Sequence, residues 1–181
     1  MADEGDVLTN LDKDLAAGSN GADKLPSAGI ITQYVKDLSV ENPNAPGVYQ
    51  WTEQPHIDLQ FNIAANKVSD EVTEVELKVN VTAKTDKGNS YLIELVYCGL
   101  VGIRNVPEEQ AHAFLFAEAP RLLFPFARTI IAGAVRDAGF QMAPIDPIDF
   151  NGLYVQQLRQ KRAEETGSSS QKSDSKEEGN T

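Results

Sequence analysis

Pro120-Arg-Leu-Leu-Phe-Pro-Phe-Ala-Arg128 is where this chain changes from strand-like alternation to helical spacing. Beyond it, Phe126, Ile130 and Ala134 form one i, i+4 row, and Ala127, Ile131 and Val135 form a second. Together the rows make one broad apolar stripe that a helix must bury. Proline lacks an amide hydrogen and has a fixed φ, so it is tolerated in a first helical turn but kinks an interior. The main helix is therefore expected to start between Pro120 and Pro125. Gly139, after Arg136, Asp137 and Ala138, marks its end, because a left-handed cap favours glycine.

Upstream, the sequence reads as sheet. Ile30 to Val40 predicts a first strand near an edge, and Asn42-Pro-Asn-Ala-Pro-Gly47 then breaks regular structure. After Pro55, Ile57, Leu59, Phe61 and Ile63 alternate with Asp58, Gln60 and Asn62, the pattern of a strand buried on one face. Val75, Leu77, Val79, Val81 and Ala83 form a third run, and Asp86-Lys-Gly-Asn89 supplies a hairpin into a fourth from Tyr91 to Cys98. Four antiparallel strands in simple order are expected. In the fourth, Tyr91, Ile93, Leu95 and Tyr97 lie on one face, while Leu92, Val96 and Cys98 make the other apolar too, with Glu94 the single charge. A sheet apolar on both faces needs a second partner, which predicts oligomerisation through a sheet face or the helix. Pro107-Glu-Glu-Gln-Ala opens a short helix that Pro120 should stop, and Asp149 caps a final helix bearing Leu153, Tyr154 and Leu158. The fold class is α+β, a four-stranded antiparallel sheet with helices packed on one side.

The length of 181 residues suits one domain with tails. Residues 1–29 are read as a disordered acidic extension, in which Leu8, Leu11 and Leu15 are the only apolar repeat, residues 30–161 as the domain, and residues 162–181 as a disordered polar tail. A net charge of −11 argues against nucleic acid or an anionic membrane as partner, since phosphate binding needs clustered cations. Residues 30–161 hold sixteen acids and eleven bases, so the domain itself is acidic. There is no apolar run of membrane-spanning length, Met1-Ala-Asp-Glu-Gly-Asp6 has neither the basic nor the apolar region of a signal peptide, and a single cysteine, Cys98, excludes an internal disulfide. A cytoplasmic protein without direct membrane insertion is expected.

Neither a nucleophile beside a base nor ligand-spaced side chains stand out. His56 and His112 have no companion at a ligating offset, and Gly99-Leu-Val-Gly102 lacks the further glycine of a nucleotide-binding loop and reads as a bend. No catalytic residue, metal or cofactor is expected. What recurs is aromatic surface beside acids, including Tyr49, Trp51, Phe61, Tyr91, Tyr97, Phe114, Phe116, Phe124 and Phe126. That is generous for such a core, and predicts binding of another subunit or of an extended apolar polypeptide.

Three stretches, Tyr34-Val-Lys-Asp-Leu-Ser-Val-Glu-Asn-Pro-Asn-Ala-Pro46, Leu123-Phe-Pro-Phe-Ala-Arg128 and Pro147-Ile-Asp-Phe-Asn-Gly-Leu-Tyr154, strongly resemble the SecB family of bacterial protein-export chaperones. The resemblance covers about residues 30–160. It implies a homotetramer, a dimer of dimers, that binds unfolded precursor polypeptides without ATP and hands them to the SecA motor ATPase. By resemblance, SecA docks at Asp37, Glu41, Leu92 and Glu94. A client groove is lined by Trp51, Ile57, Leu59, Phe61 and Tyr91, with Glu53 where the family has a tryptophan. Subunit contacts are expected from the main helix, at Phe126, Ile130, Ile131, Ala134 and Val135, where Gly133 leaves room for close approach. The alternatives are a hot-dog-like acyl-thioester enzyme using Glu108, Glu109 or Glu118, and a SecB-like chaperone of a toxin–antitoxin pair.

Overall fold

The computed structural model describes residues 25–141 and 145–173, with side chains up to residue 163. The Leu8, Leu11, Leu15 repeat therefore lies outside the described residues. Four strands form one antiparallel sheet: β1 (Ser27–Glu41), β2 (His56–Lys67), β3 (Val72–Thr85) and β4 (Gly88–Arg104). Their spatial order is β1-β4-β3-β2, not the simple order that local signals suggest. The hairpins β2–β3 and β3–β4 follow tight turns, but residues 42–55 carry the chain across the sheet, so β1 pairs with β4. The two edges are β1 and β2.

β4 is longer than its alternation suggests. It continues through Gly99 and Gly102, where a bend was expected, because both glycines make room within a straight strand. A Cβ at Gly99 would stand 3.0 Å from Leu123 Cδ2, and one at Gly102 would stand 3.2 Å from Ile31 Cδ1. Close backbone approach, rather than chain reversal, is what the missing side chains permit.

The helical half is one continuous rod followed by a separate helix. α1 (Glu108–Ala113) runs through a π turn (Phe114–Glu118) directly into α2 (Ala119–Asp137). Pro120 therefore does not stop the first helix, as the sequence suggested; the wider turn before it shifts the hydrogen-bond ladder at the point where proline offers no donor. Pro125 lies inside α2 on the solvent side, and Thr129 Oγ1 donates to its carbonyl at 3.0 Å. The end is as expected. Gly139 adopts φ +86°, its amide donates to Arg136 O at 2.9 Å, and the Phe140 amide donates to Val135 O at 3.1 Å. That pair of bonds is a Schellman cap.

α3 spans Phe150–Ser173 and so continues into the stretch read as polar tail. Asp149 caps it as expected, accepting the Gly152 amide at 2.9 Å. Leu153 points outward, and Phe150 is the buried anchor, with its ring 5.4 Å from Phe61 and 5.7 Å from Phe124.

The core lies between the sheet and α2. Leu77, Val79, Ile93 and Leu95 from the central strands meet Leu123, Ala127, Ile131 and Val135, all at most 1% exposed. Each such aliphatic side chain contributes about 1.5–3 kcal/mol on burial. The predicted stripe is thus split: the Ala127 row is core, while Phe126 remains 50% exposed with Ile130 and Ala134 only partly covered. Ile131 and Val135 have no surface left for another subunit, which corrects their assignment to an interface.

Candidate functional site

The sheet has one face covered by the helices and one open face, and each carries a set of the expected residues. On the open face, β1–β4 pairing sets Glu41 opposite Leu92, Ser39 opposite Glu94, and Asp37 opposite Val96. Asp37, Glu41 and Glu94 are exposed, and Leu92 is half-buried between them. The Lys78 ammonium lies 3.3 Å from the Glu94 carboxylate. Residues far apart in sequence therefore form a single acidic patch with an apolar centre.

Beside this patch lies an ion network. Lys36 Nζ donates to Glu74 Oε2 at 2.8 Å and also to Glu76, Tyr34 OH donates to Glu74, and Asn66 Nδ2 donates to Glu76 at 3.2 Å. The Lys36 ammonium, helped by the Tyr34 hydroxyl, holds the Glu74 carboxyl down to about 2. The same hydrogen bond to Glu74, reinforced by burial, pushes the Tyr34 hydroxyl up to about 12. Cys98 lies beneath, fully buried, and desolvation raises its thiol to about 11. Glu74, Glu76 and Cys98 bring ligand atoms within 4.8 Å of one another, and the Lys36 ammonium pairs with both carboxylates. The network also covers part of the apolar row on β4, so this face is less of an apolar patch than its sequence suggests.

On the helix side, Trp51, Ile57 and Tyr91 line one cleft of about 610 Å³, together with Tyr49 and Phe140. The crossing segment 42–55 builds its wall. The Tyr49 hydroxyl accepts from Asn42 Nδ2 at 2.7 Å and donates to Ala138 O at 2.9 Å, tying the segment to the end of α2. The Phe140 ring, placed by the Gly139 cap, lies 5.4 Å from Tyr49 and 4.9 Å from Tyr91. Glu53 also lines this cleft and pairs with Lys87 at 3.4 Å, and Trp51 is the tryptophan of the cleft.

Phe61 does not share that cleft. It belongs to a second cavity of about 170 Å³ between β2 and α3, with His112, Phe116 and Tyr154. Ile57, Leu59 and Phe61 occupy alternate positions of edge strand β2 and all face the helices, so Leu59 stands between the two hollows. His112 stacks on Phe116 at 4.6 Å, and its Nδ1 is 2.8 Å from Tyr154 OH. Sequence reasoning missed Phe140 and the His112–Tyr154 contact. The first had a signal, since an apolar residue commonly follows a capping glycine; the second depends on how two helices meet and had none.

A further apolar surface runs along the β1 edge. Val35, Leu38 and Val40 face the helix side yet are each more than two-fifths exposed, as is Phe126 of α2.

Comparison with known proteins agrees with this arrangement. Residues 21–161 match the family described as preprotein translocase subunit SecB. The chain is 73% identical over 91% of its length to the protein-export protein SecB of Erythrobacter litoralis, covering 93% of that protein. It is 59% identical over 90% of its length to the SecB of Novosphingobium aromaticivorans, covering 94% of it. Among solved structures it is similar in fold to a SecB-like chaperone of Mycobacterium tuberculosis in complex with an antitoxin peptide. That match has TM-score 0.57 and 14% identity, covering 77% of this chain and 96% of the other. Sequence motifs, sheet architecture and these relatives converge: this chain belongs to the SecB family of protein-export chaperones, and not to an enzyme family.

Proposed function

We propose that the chain is an ATP-independent holding chaperone that keeps precursor polypeptides unfolded on its helix side and delivers them to the SecA motor through its open sheet face. The observation that carries this reading is the division of labour across one sheet. Aromatic hollows flank edge strand β2 on one side, and an acidic patch with an apolar centre lies on the other.

A client segment laid along β2 gains main-chain hydrogen bonds from the edge and apolar contact with Ile57, Leu59, Phe61, Trp51 and Tyr91, without a shape-specific pocket. Retention of this kind needs only binding and competition, hence no nucleotide step. Asp37, Glu41 and Glu94 around Leu92 suit docking of a basic protein surface, with charge setting the approach and Leu92 the contact. The exposed rows on β1 and α2 suit assembly into a homotetramer, a dimer of dimers, in the cytoplasm. High identity to protein-export relatives, against 14% to the SecB-like chaperone in complex with an antitoxin peptide, favours general export.

The test is refolding of a denatured precursor without ATP, with and without the purified protein. Marked slowing at equimolar tetramer is expected, together with a complex between the loaded protein and SecA. An unchanged refolding rate overturns the reading.

A further inference from the structure

β1 exchanges its faces at Lys36. Tyr34 pairs with Cys98 and Val35 with Tyr97, but the next partner on β4, Val96, is taken by Asp37. Two residues of β1 thus span one step of β4, which is a bulge. A one-residue slip moves every following side chain to the other face. With unbroken pairing, Asp37 and Glu41 would oppose Leu95 and Tyr91 and point at the helices, while Leu38 and Val40 would point into solvent on the open face. Given the register at Tyr34 and Val35, which a first shift between Ile30 and Thr32 sets, this bulge puts both acids beside Leu92 and Glu94.

The extra residue is anchored. From β1 the Lys36 side chain reaches across β4 to Glu74 and Glu76 on β3. Tyr34 holds Glu74 from the same strand, and Asn66 on β2 holds Glu76. The contacts tie all the flanking strands to the point where β1 slips.

We propose that Lys36 is a positioning residue: held by Glu74 and Glu76, its side chain locks the β1 bulge that turns Asp37 and Glu41 onto the open face for docking of a basic partner. This rests on the docking reading above, and deepens it by naming what sets the geometry of the patch.

Charge and positioning predict opposite outcomes. Lys36→Met or Lys36→Gln removes a cation beside an acidic patch, so electrostatics alone would leave binding to a basic surface unchanged or make it tighter. Loss of the bulge would weaken it. The full-length protein is titrated against SecA by calorimetry, with capture of an unfolded client and the melting curve as controls. Both neutral variants should bind SecA about tenfold more weakly, a difference of about 1.4 kcal/mol. Client capture should be kept, and Lys36→Arg should restore binding. Glu94→Lys is the reference in the same assay. If Glu94→Lys weakens docking while the neutral Lys36 variants bind as well as or better than the parent, the positioning role is overturned. If Glu94→Lys leaves binding unchanged, the docking reading falls and the positioning role falls with it.

Discussion

Glu41 at the end of β1 lies directly across from Leu92 on β4, with Ser39 and Glu94 as the next same-face pair. Every strand between them in sequence is folded away to the other side of β4. The acidic patch therefore exists only because the chain crosses the sheet after β1. A simple up-and-down order would have left the two halves of the patch on opposite edges.

Glu94 is exposed and pairs with Lys78 at 3.3 Å. Glu94→Lys inverts a charge beside Leu92 and sets two cations side by side. Binding to SecA should fall by about tenfold or more, with client capture unchanged. Calorimetry against each partner checks this.

The Gly139 cap supports both α2 and the wall of the larger cleft. Its φ of +86° is costly for any residue with a Cβ, and an added Cβ would stand 3.0 Å from the Tyr49 ring. Gly139→Ala should destabilise the protein by about 1–2 kcal/mol, lowering Tm by about 2–4 °C per kcal/mol in a thermal melt. Client affinity should fall as well, because Phe140 and Tyr49 are displaced.

The two rows of α2 should respond differently. Ile131 is fully buried against the sheet, so Ile131→Ala should cost about 2–5 kcal/mol in urea unfolding. Phe126 is half-exposed. Phe126→Asp should leave helical circular dichroism intact while light scattering shows a mass below four chains of 19.7 kDa. A parent that is monomeric at micromolar concentration would overturn the tetramer.

Glu74 has a pH signature. Its carboxyl is held from 4.5 down to about 2 by the Lys36 ammonium and then by the Tyr34 hydroxyl. A depressed carboxyl stabilises the fold above its ordinary value, and that stabilisation is lost as pH falls through the depressed one. Stability should therefore decline between about pH 4.5 and pH 2, and Glu74→Gln should flatten the decline. Urea midpoints across this range measure it.

Much of the fold was legible because it depends on near neighbours in the chain. Alternation at Ile57, Leu59 and Phe61 marked a half-buried strand, Asp86-Lys-Gly-Asn89 marked a hairpin, and Gly139 and Asp149 marked helix ends that the structure bears out. The break in β1 was not read from the sequence, although the apolar spacing steps from Val35 to Leu38 before returning to Val40. Such a step fits either a bulge or a strand apolar on both faces, and only the pairing with β4 decides between them.

By itself, the sequence determined which segments form strands and helices, where caps lie, and the SecB family, because these rest on local dihedral preferences and long contiguous motifs. Only the tertiary structure decided that β1 pairs with β4, that the Ala127–Ile131–Val135 row faces inward, and that the helical rod runs through Pro120. Those outcomes depend on which apolar surfaces meet across the sheet, a choice set by burial among residues distant in the chain and unmarked in any one stretch of it.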